Sequence, residues 1–144
     1  MGAYMKWKYA GAKWITSIPE ITTSGTYTLN PLSSPTNNCY KIASPNSDKE
    51  FFVLEYRKKE GLFENYVPGS GLLVYRINSD FDGNADFDNV SVFDEVYIYR
   101  PNGTNYTNGT INSAHFSTNL NRTSINDATD RKSTRLNSSH RIRS

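Results

Sequence analysis

The chain has 144 residues, with 16 basic against 14 acidic side chains and a formal net charge of +2. Its single cysteine, Cys39, excludes an intrachain disulfide framework and any zinc site built from cysteines. His115 is the only histidine before residue 130, which excludes a site of three imidazoles and leaves no second histidine for a catalytic pair.

The two ends of the sequence predict a fragment. After Met1 the chain reads GAYMKWKYAG, which lacks the charged segment and apolar run of a secretory signal peptide. No run of about 18 apolar residues that could span a membrane is present. We therefore expect Met1 to be an internal methionine and the chain to be truncated at both ends.

A short helix is predicted at the start. One helical face collects residues at spacings of three, four and three: Tyr4, Trp7, Gly11 and Trp14. The helix should end before Pro19. We expect this aromatic face to pack in a core, with ligand stacking as the alternative.

Short β-rich runs separated by turn residues follow the helix. The predicted strands are Thr26–Leu29, Cys39–Ile42, Glu50–Arg57, Leu72–Ile77 and Glu95–Tyr99. The sequence thus predicts an α+β fold, in which a short N-terminal helix precedes a mostly antiparallel β region.

The strand FFVLEYR carries apolar side chains on both faces, which predicts a central position in the sheet. Glu55 and Arg57 lie two positions apart and therefore on the same face. An ion pair that anchors a loop is the expected role. The alternative is a charge pair that binds substrate.

The segment that follows the fourth predicted strand is acidic. Oxygen-bearing side chains stand at alternate positions: Asp80, Asp82, Asn84, Asp86 and Asp88. Clustered carboxylate and amide oxygens are ligands that calcium favours. The EF-hand register is not met, because glycine stands at the fourth position counted from Asp80 instead of the sixth. A calcium loop, which Asp94 and Glu95 could complete, is therefore one hypothesis, and a solvated Asp/Asn/Gly loop is the other.

The last fifteen residues, 130–144, are interpreted as an artefactual tail. The run DRKSTRLNSSH can be encoded by a widely used short-read sequencing adapter. Without the five basic residues and one acidic residue of this tail, 11 basic and 13 acidic residues remain, a net charge of −2. A natural basic tail for nucleic acid or a membrane surface is the alternative.

Four stretches in order carry a family resemblance: GAYMKWKY with GAKW, SGTYTLNPL, FFVLEYRKKEG and VPGSGLLVYRIN. Together they cover most of residues 1–116. This run resembles the segment that follows the active-site motifs in the immune inhibitor A family of secreted bacterial zinc metallopeptidases, metallopeptidase family six. No single stretch is a catalytic signature, and the match depends on their order and spacing.

The resemblance implies a zinc ion held by two histidines of an H-E-x-x-H helix, whose glutamate acts as general base for the attacking water. A further ligand and a methionine-containing turn lie downstream of that helix. Residues 1–144 contain none of these elements. Met5 lies just past where the turn should end, and His115 is expected to be a surface or hydrogen-bonded residue, so neither is assigned to a zinc site.

Three segments are therefore expected. Residues 1–18 form a helix that completes a missing catalytic lobe, residues 19–129 form the β-rich C-terminal part of the peptidase region, and residues 130–144 are the tail.

The parent protein is expected to be secreted or attached to the cell surface, and to hydrolyse peptide bonds in proteins. The chain itself, which has no catalytic residue, should be inactive alone, and its partners are the upstream lobe and the parent's protein or peptide substrate. A non-enzymatic secreted β module that binds glycan or cell-surface protein is the alternative; nucleic acid is not expected.

Overall fold

The architecture was determined as a computed structural model, which describes residues 1–10, 14–83, 95–103 and 109–125 and the backbone of 142–143. The protein has an α+β fold in which a short N-terminal helix packs on a four-stranded antiparallel sheet. This is the fold class that the sequence predicts. None of the helices in these ranges is long and apolar enough to cross a membrane.

The sheet has the strand order β1-β2-β3-β4, so that strands adjacent in sequence are adjacent in space. Its elements are helix α1 (Ala3–Lys8), strands β1 (Cys39–Ala43) and β2 (Glu50–Arg57), helix α2 (Gly61–Glu64), and strands β3 (Gly71–Asn78) and β4 (Val96–Ile98). Two 3-10 turns follow at Ile111–Ser113 and Thr118–Leu120, and β5 (Ser124–Ile125) pairs with β6 (Ile142–Arg143). The strands predicted around residues 39, 50, 72 and 95 are thus confirmed within one or two residues at each end.

Strand β2 is central, as its two apolar faces predict. It pairs along its whole length with β3, where Val53 lies opposite Tyr75, and on its other side with β1. One face of the sheet packs against α1, Ile15, Ile18 and Leu32, with a buried core of Ala3, Tyr4, Ile15, Leu32, Cys39, Val53, Tyr75 and Ile77. The opposite face buries Phe52, Leu54, Val74, Tyr97, Tyr99, Phe116 and Ile125. Both faces of a small sheet are therefore covered.

Helix α1 is shorter than the sequence predicts. It ends at Lys8, and the Tyr9 N–H donates to the carbonyl oxygen of Met5 as the chain turns away. Six residues are too few for a helix that is stable alone, so α1 depends on its packing against the sheet. Tyr4 is buried, whereas Trp7 and Trp14 are 43% and 61% exposed, so these two side chains do not pack in the core of the described residues. Gly11 lies outside the described residues.

The prediction of a strand at Thr26–Leu29 is wrong. These residues join no β-ladder. The outer edge of β1 is taken instead by residues 19–21, because the Lys41 N–H donates to the Pro19 carbonyl and the Ile21 N–H donates to the Lys41 carbonyl. A β-prone segment becomes a strand only when a sheet edge is open to it.

Candidate functional site

The two most extensive polar clusters in the described residues lie at the two ends of α1. At each end the helix contacts one buried glutamate of the sheet region. Glu55 is fully buried near the start of α1, and Glu95 is 1% exposed near its end. An ionised carboxylate in such a position needs donors for its oxygens, because burial removes its water. Both glutamates receive these donors from the chain itself.

The Glu55 cluster comprises Glu55, Arg57, Tyr75 and Glu64 with the backbone of residues 1–3. The Arg57 Nε donates to Glu55 Oε1 over 2.7 Å, and the Tyr75 hydroxyl donates to the same oxygen over 2.5 Å. The Ala3 N–H donates to Glu55 Oε2 over 2.5 Å. Ala3 opens the helix, and the preceding Gly2 offers no side chain as a cap. Glu55 therefore caps α1 from the sheet.

Gly2 is required by this arrangement. A Cβ at this position would lie 2.9 Å from the Tyr75 hydroxyl oxygen, which is closer than van der Waals contact. Glycine therefore lets the start of α1 approach the Tyr75 hydroxyl, which is already bonded to Glu55.

Arg57 extends the cluster to α2. Its Nη1 donates to both carboxylate oxygens of Glu64 over 2.8 and 2.7 Å, and its Nη2 donates to the Met1 carbonyl over 2.8 Å. Burial opposes the charge of Arg57, but the negative Glu55 and the hydrogen bonds to Glu64 outweigh burial and raise the pKa of Arg57 above its ordinary value. The ion pair between Glu55 and Arg57 is therefore present, and it holds both α1 and the α2 turn.

Two neighbouring groups are kept protonated by the same surroundings. Burial, and then the negative Glu55, raises the pKa of the Tyr75 hydroxyl well above its ordinary value. Burial, with a smaller contribution from Glu55, raises the pKa of the Cys39 thiol to about 11. A thiol in this state is a poor nucleophile at neutral pH. Cys39 thus serves as a small core residue.

The Glu95 cluster comprises Glu95, Tyr4, Lys8 and Tyr9 with the backbone of Gly83. Lys8 Nζ and the Tyr4 hydroxyl donate to Glu95 Oε1, the latter over 2.7 Å. The Tyr9 hydroxyl and the Gly83 N–H each donate to Oε2 over 2.6 Å. Burial alone would raise the pKa of Glu95, but the bonds from Lys8, Tyr9 and Tyr4 outweigh it and lower that pKa to about 2.

The two clusters hold α1 at both ends, and this attachment is the role that their hydrogen bonds show. Each carboxylate accepts from at least three donors, so its oxygens are already occupied within the fold. Across the described ranges, no group of three or more His, Cys, Asp or Glu side chains is placed to hold a metal ion. The side chains within those ranges therefore form no zinc site, and no catalytic step is assigned to them.

The predicted calcium loop is described only in part. Asp82 Oδ1 lies 2.6 Å from Lys8 Nζ, and Asp80 Oδ1 lies 3.9 Å from Lys49 Nζ. Asn84, Asp86, Asp88 and Asp94 lie outside the described residues. Glu95, which was expected to complete the calcium site, instead accepts hydrogen bonds from α1 and Tyr9. It also accepts from the Gly83 N–H, which brings residues 83 and 95 close together. Calcium binding stays a prediction.

His115 packs at the start of β3. A Cβ on Gly69 would lie 2.3 Å from His115 Nε2, so the imidazole lies directly against that glycine. Partial burial, and then the positive charge of Arg122, lowers the pKa of His115. A neutral, half-buried imidazole that fills the space left by a glycine is a packing residue.

Sequence reasoning identified the pair Glu55 and Arg57 but missed the rest of both clusters. Tyr75 could have been found, because it faces the same side of the sheet on the neighbouring strand. The partners of Glu95 gave no usable signal, since Tyr4 stands 91 positions away along the chain.

Comparison of the chain with known protein-family models, with curated proteins and with solved structures finds no match in any of the three.

Proposed function

We propose that the chain is the non-catalytic C-terminal part of a secreted zinc-dependent metalloendopeptidase that hydrolyses peptide bonds in proteins. In this proposal the sheet is a support, and α1 joins it to an upstream lobe that carries the zinc ion and the H-E-x-x-H helix. The resemblance of four ordered sequence stretches to the immune inhibitor A family is the sequence support for it.

The structural observation that carries the proposal is that α1 is held at both ends while Trp7, on the helix, and Trp14, beyond its end, are exposed. Glu55 and Glu95 tie α1 to the sheet, while Trp7 and Trp14 remain 43% and 61% exposed. Large aromatic side chains are common at protein interfaces and costly to leave in water. A helix that is fixed to the sheet and carries one exposed tryptophan, with a second exposed tryptophan beyond its end, is suited to contact another lobe.

The first test is the reading frame upstream of Met1 in adapter-trimmed nucleic acid. We expect an H-E-x-x-H helix followed by a methionine-containing turn. A stop codon directly upstream of Met1, with no such motif, would contradict the proposal.

A second test uses the protein produced from the extended frame. W7S/W14S should lower hydrolysis of a protein substrate or release the upstream lobe, since both side chains would lie between the lobes. Y27S is the matched control, because Tyr27 is 42% exposed but distant in sequence from α1. Hydrolysis by residues 1–144 alone would show that the assignment as non-catalytic is wrong.

The second candidate is a secreted β module that binds glycan or cell-surface protein. Exposed aromatic rings favour it, and Tyr66 is 88% exposed. Sugar rings stack on such surfaces. Glycan binding that is lost in Y66A and W14A, in a protein with no upstream H-E-x-x-H, would support this candidate over the first.

A further inference from the structure

Residues 109–125 meet the sheet along the side of β3 that faces away from β2. There Phe116 lies opposite Leu72: the Phe116 N–H donates to the Leu72 carbonyl over 2.8 Å, and the Leu72 N–H donates to the Phe116 carbonyl over 3.1 Å. The Phe116 side chain is buried in the core on that face of the sheet. Opening of this pair of bonds would therefore expose part of the core.

His115, next to this contact, lies against two glycines, which we call the glycine groove of Gly69 and Gly71. A Cβ on Gly69 would lie 2.3 Å from His115 Nε2. A Cβ on Gly71 would lie 2.5 Å from the Phe116 carbonyl oxygen and 3.1 Å from His115 Cβ. A ring enclosed this closely has little room for the water that a charged imidazole needs.

The charge that reaches the ring is positive. Arg122 is brought back towards it, because its N–H donates to the Ser117 carbonyl over 3.0 Å and its guanidinium lies 4.0 Å from the centre of the Phe116 ring. Residues 69–71, which pack against the imidazole, carry no titratable side chain. Burial, followed by the charge of Arg122, lowers the pKa of His115, and no carboxylate of the described ranges opposes this shift.

The direction of this shift decides how pH acts on the fold. An unfolded histidine has a pKa of about 6.5, and His115 binds its proton less readily in the folded state. The stability that the neutral imidazole permits is therefore complete above about pH 6.5 and is lost as the pH falls below it. Since the ring lies beside the Phe116 contact, the loss should appear as local opening of residues 109–125.

We propose that His115 is an acid-sensitive clasp: when its imidazole takes up a proton, the ring leaves the glycine groove and the bonds between Phe116 and Leu72 open. The step takes one proton from solvent and breaks no covalent bond. It rests on contacts within the chain and is independent of the proposed function.

The test is amide hydrogen exchange of Leu72 and Phe116 in the full chain between about pH 7.5 and about pH 5, above the ordinary pKa of carboxyl groups. Rates are divided by the intrinsic exchange rate at each pH to give protection. Below about pH 6.5 protection should fall by at most about tenfold per pH unit, which is the slope for one proton. The Lys41 N–H, bound to the Pro19 carbonyl at the other edge of the sheet, is the internal reference and should keep its protection.

Variants assign the slope to one residue. H115Q has no titrating ring, so its protection at Leu72 should not change with pH across this range. H140Q is the matched control, because His140 is the other histidine of the chain and should leave the slope unchanged. R122Q removes the positive neighbour, so the total loss of protection should be smaller than in the wild type.

The proposal is overturned if wild-type protection at Leu72 and Phe116 is the same at both ends of the pH range. It is also overturned if H115Q, shown to unfold cooperatively in urea at pH 7.5, keeps the wild-type slope, or if H140Q abolishes that slope. Should H115Q not fold, NMR titration of the wild-type imidazole decides. A pKa for His115 at or above about 6.5 would overturn the clasp, and a lower pKa that coincides with the loss of protection would support it.

Discussion

The two ends of α1 are held by the same residue type in different settings. Glu55 lies within the continuous ladder between β2 and its neighbours, and its main partner, Arg57, comes from the same strand. Glu95 lies just before the short strand β4, and its donors come from α1 and from the backbone of Gly83. The bonds from Arg57 and Tyr75 to Glu55 form with the sheet, so this carboxylate is in place before the Ala3 N–H reaches it, whereas the side-chain donors of Glu95 arrive only when the helix has docked. We therefore expect Glu55 to matter for folding and Glu95 to act as a condition-dependent latch.

The largest expected effect follows from E55Q. Removing the charge leaves Arg57 buried beside a neutral amide, and breaking a buried ion pair in this way costs about 3 kcal/mol of unfolding free energy. Urea denaturation measures it. The control E60Q, at an exposed ion pair, should change stability by less than about 0.5 kcal/mol.

The double variant E55Q/R57M distinguishes a paired charge from simple side-chain packing. Since R57M removes the charge that E55Q leaves paired with Glu64 alone, the double variant should lose less stability than the two single variants added together. Full additivity would contradict the account of the Glu55 cluster.

The next effect is the pH dependence that Glu95 confers. Its folded-state pKa, about 2, lies below its ordinary value of 4.5, so its contribution to stability is complete above pH 4.5 and is lost as the pH falls towards 2. Across that window the contribution is at most about 3 kcal/mol.

Unfolding of the wild type and of E95Q, followed at pH values across this window, measures the contribution. The stability of E95Q should depend less steeply on pH than that of the wild type. Identical slopes would show that Glu95 is not the group responsible.

A smaller effect is expected for Y4F. This substitution removes the hydroxyl that donates to Glu95 and keeps the buried ring, so it should cost about 1.5 kcal/mol, as for a hydrogen bond to a charged group. The control is Y27F, whose hydroxyl donates to the Thr23 carbonyl at the surface and should cost less than about 0.5 kcal/mol. Equal losses in the two variants would argue against a latch at Glu95.

The smallest effect concerns calcium. If the loop that begins at Asp80 binds calcium in the folded state only, millimolar calcium should raise the melting temperature by a few degrees, and magnesium should do so less. D80N/D82N should abolish the shift. No shift in the wild type would exclude the calcium site.

The parts of the fold that follow from local pattern were predictable from sequence. Apolar side chains on both faces of FFVLEYR predicted the central strand, and the two-residue spacing of Glu55 and Arg57 placed both on one face. The end of α1 was not predictable, because it depends on tertiary contacts at Tyr9 and not on the aromatic spacing that suggested a longer helix.

Two further misses have a common physical cause. Whether Thr26–Leu29 or residues 19–21 cover β1 depends on which segment the tertiary fold places beside that strand, and β propensity does not encode this. Likewise, the partners of Glu95 in α1 are brought to it only by the complete fold. Long-range choices of this kind leave little trace in a single sequence.

The cover on β1 has a consequence for association between copies of the chain. Both outward-facing backbone groups of Lys41 are occupied, because its N–H donates to the Pro19 carbonyl and its carbonyl accepts from the Ile21 N–H. Pro19 has no N–H to offer, so the added segment cannot itself continue a ladder at that residue. A strand from another molecule finds no uninterrupted row of donors and acceptors along β1. Residues 19–21 thereby also protect this edge of the sheet against open-ended growth into fibrils.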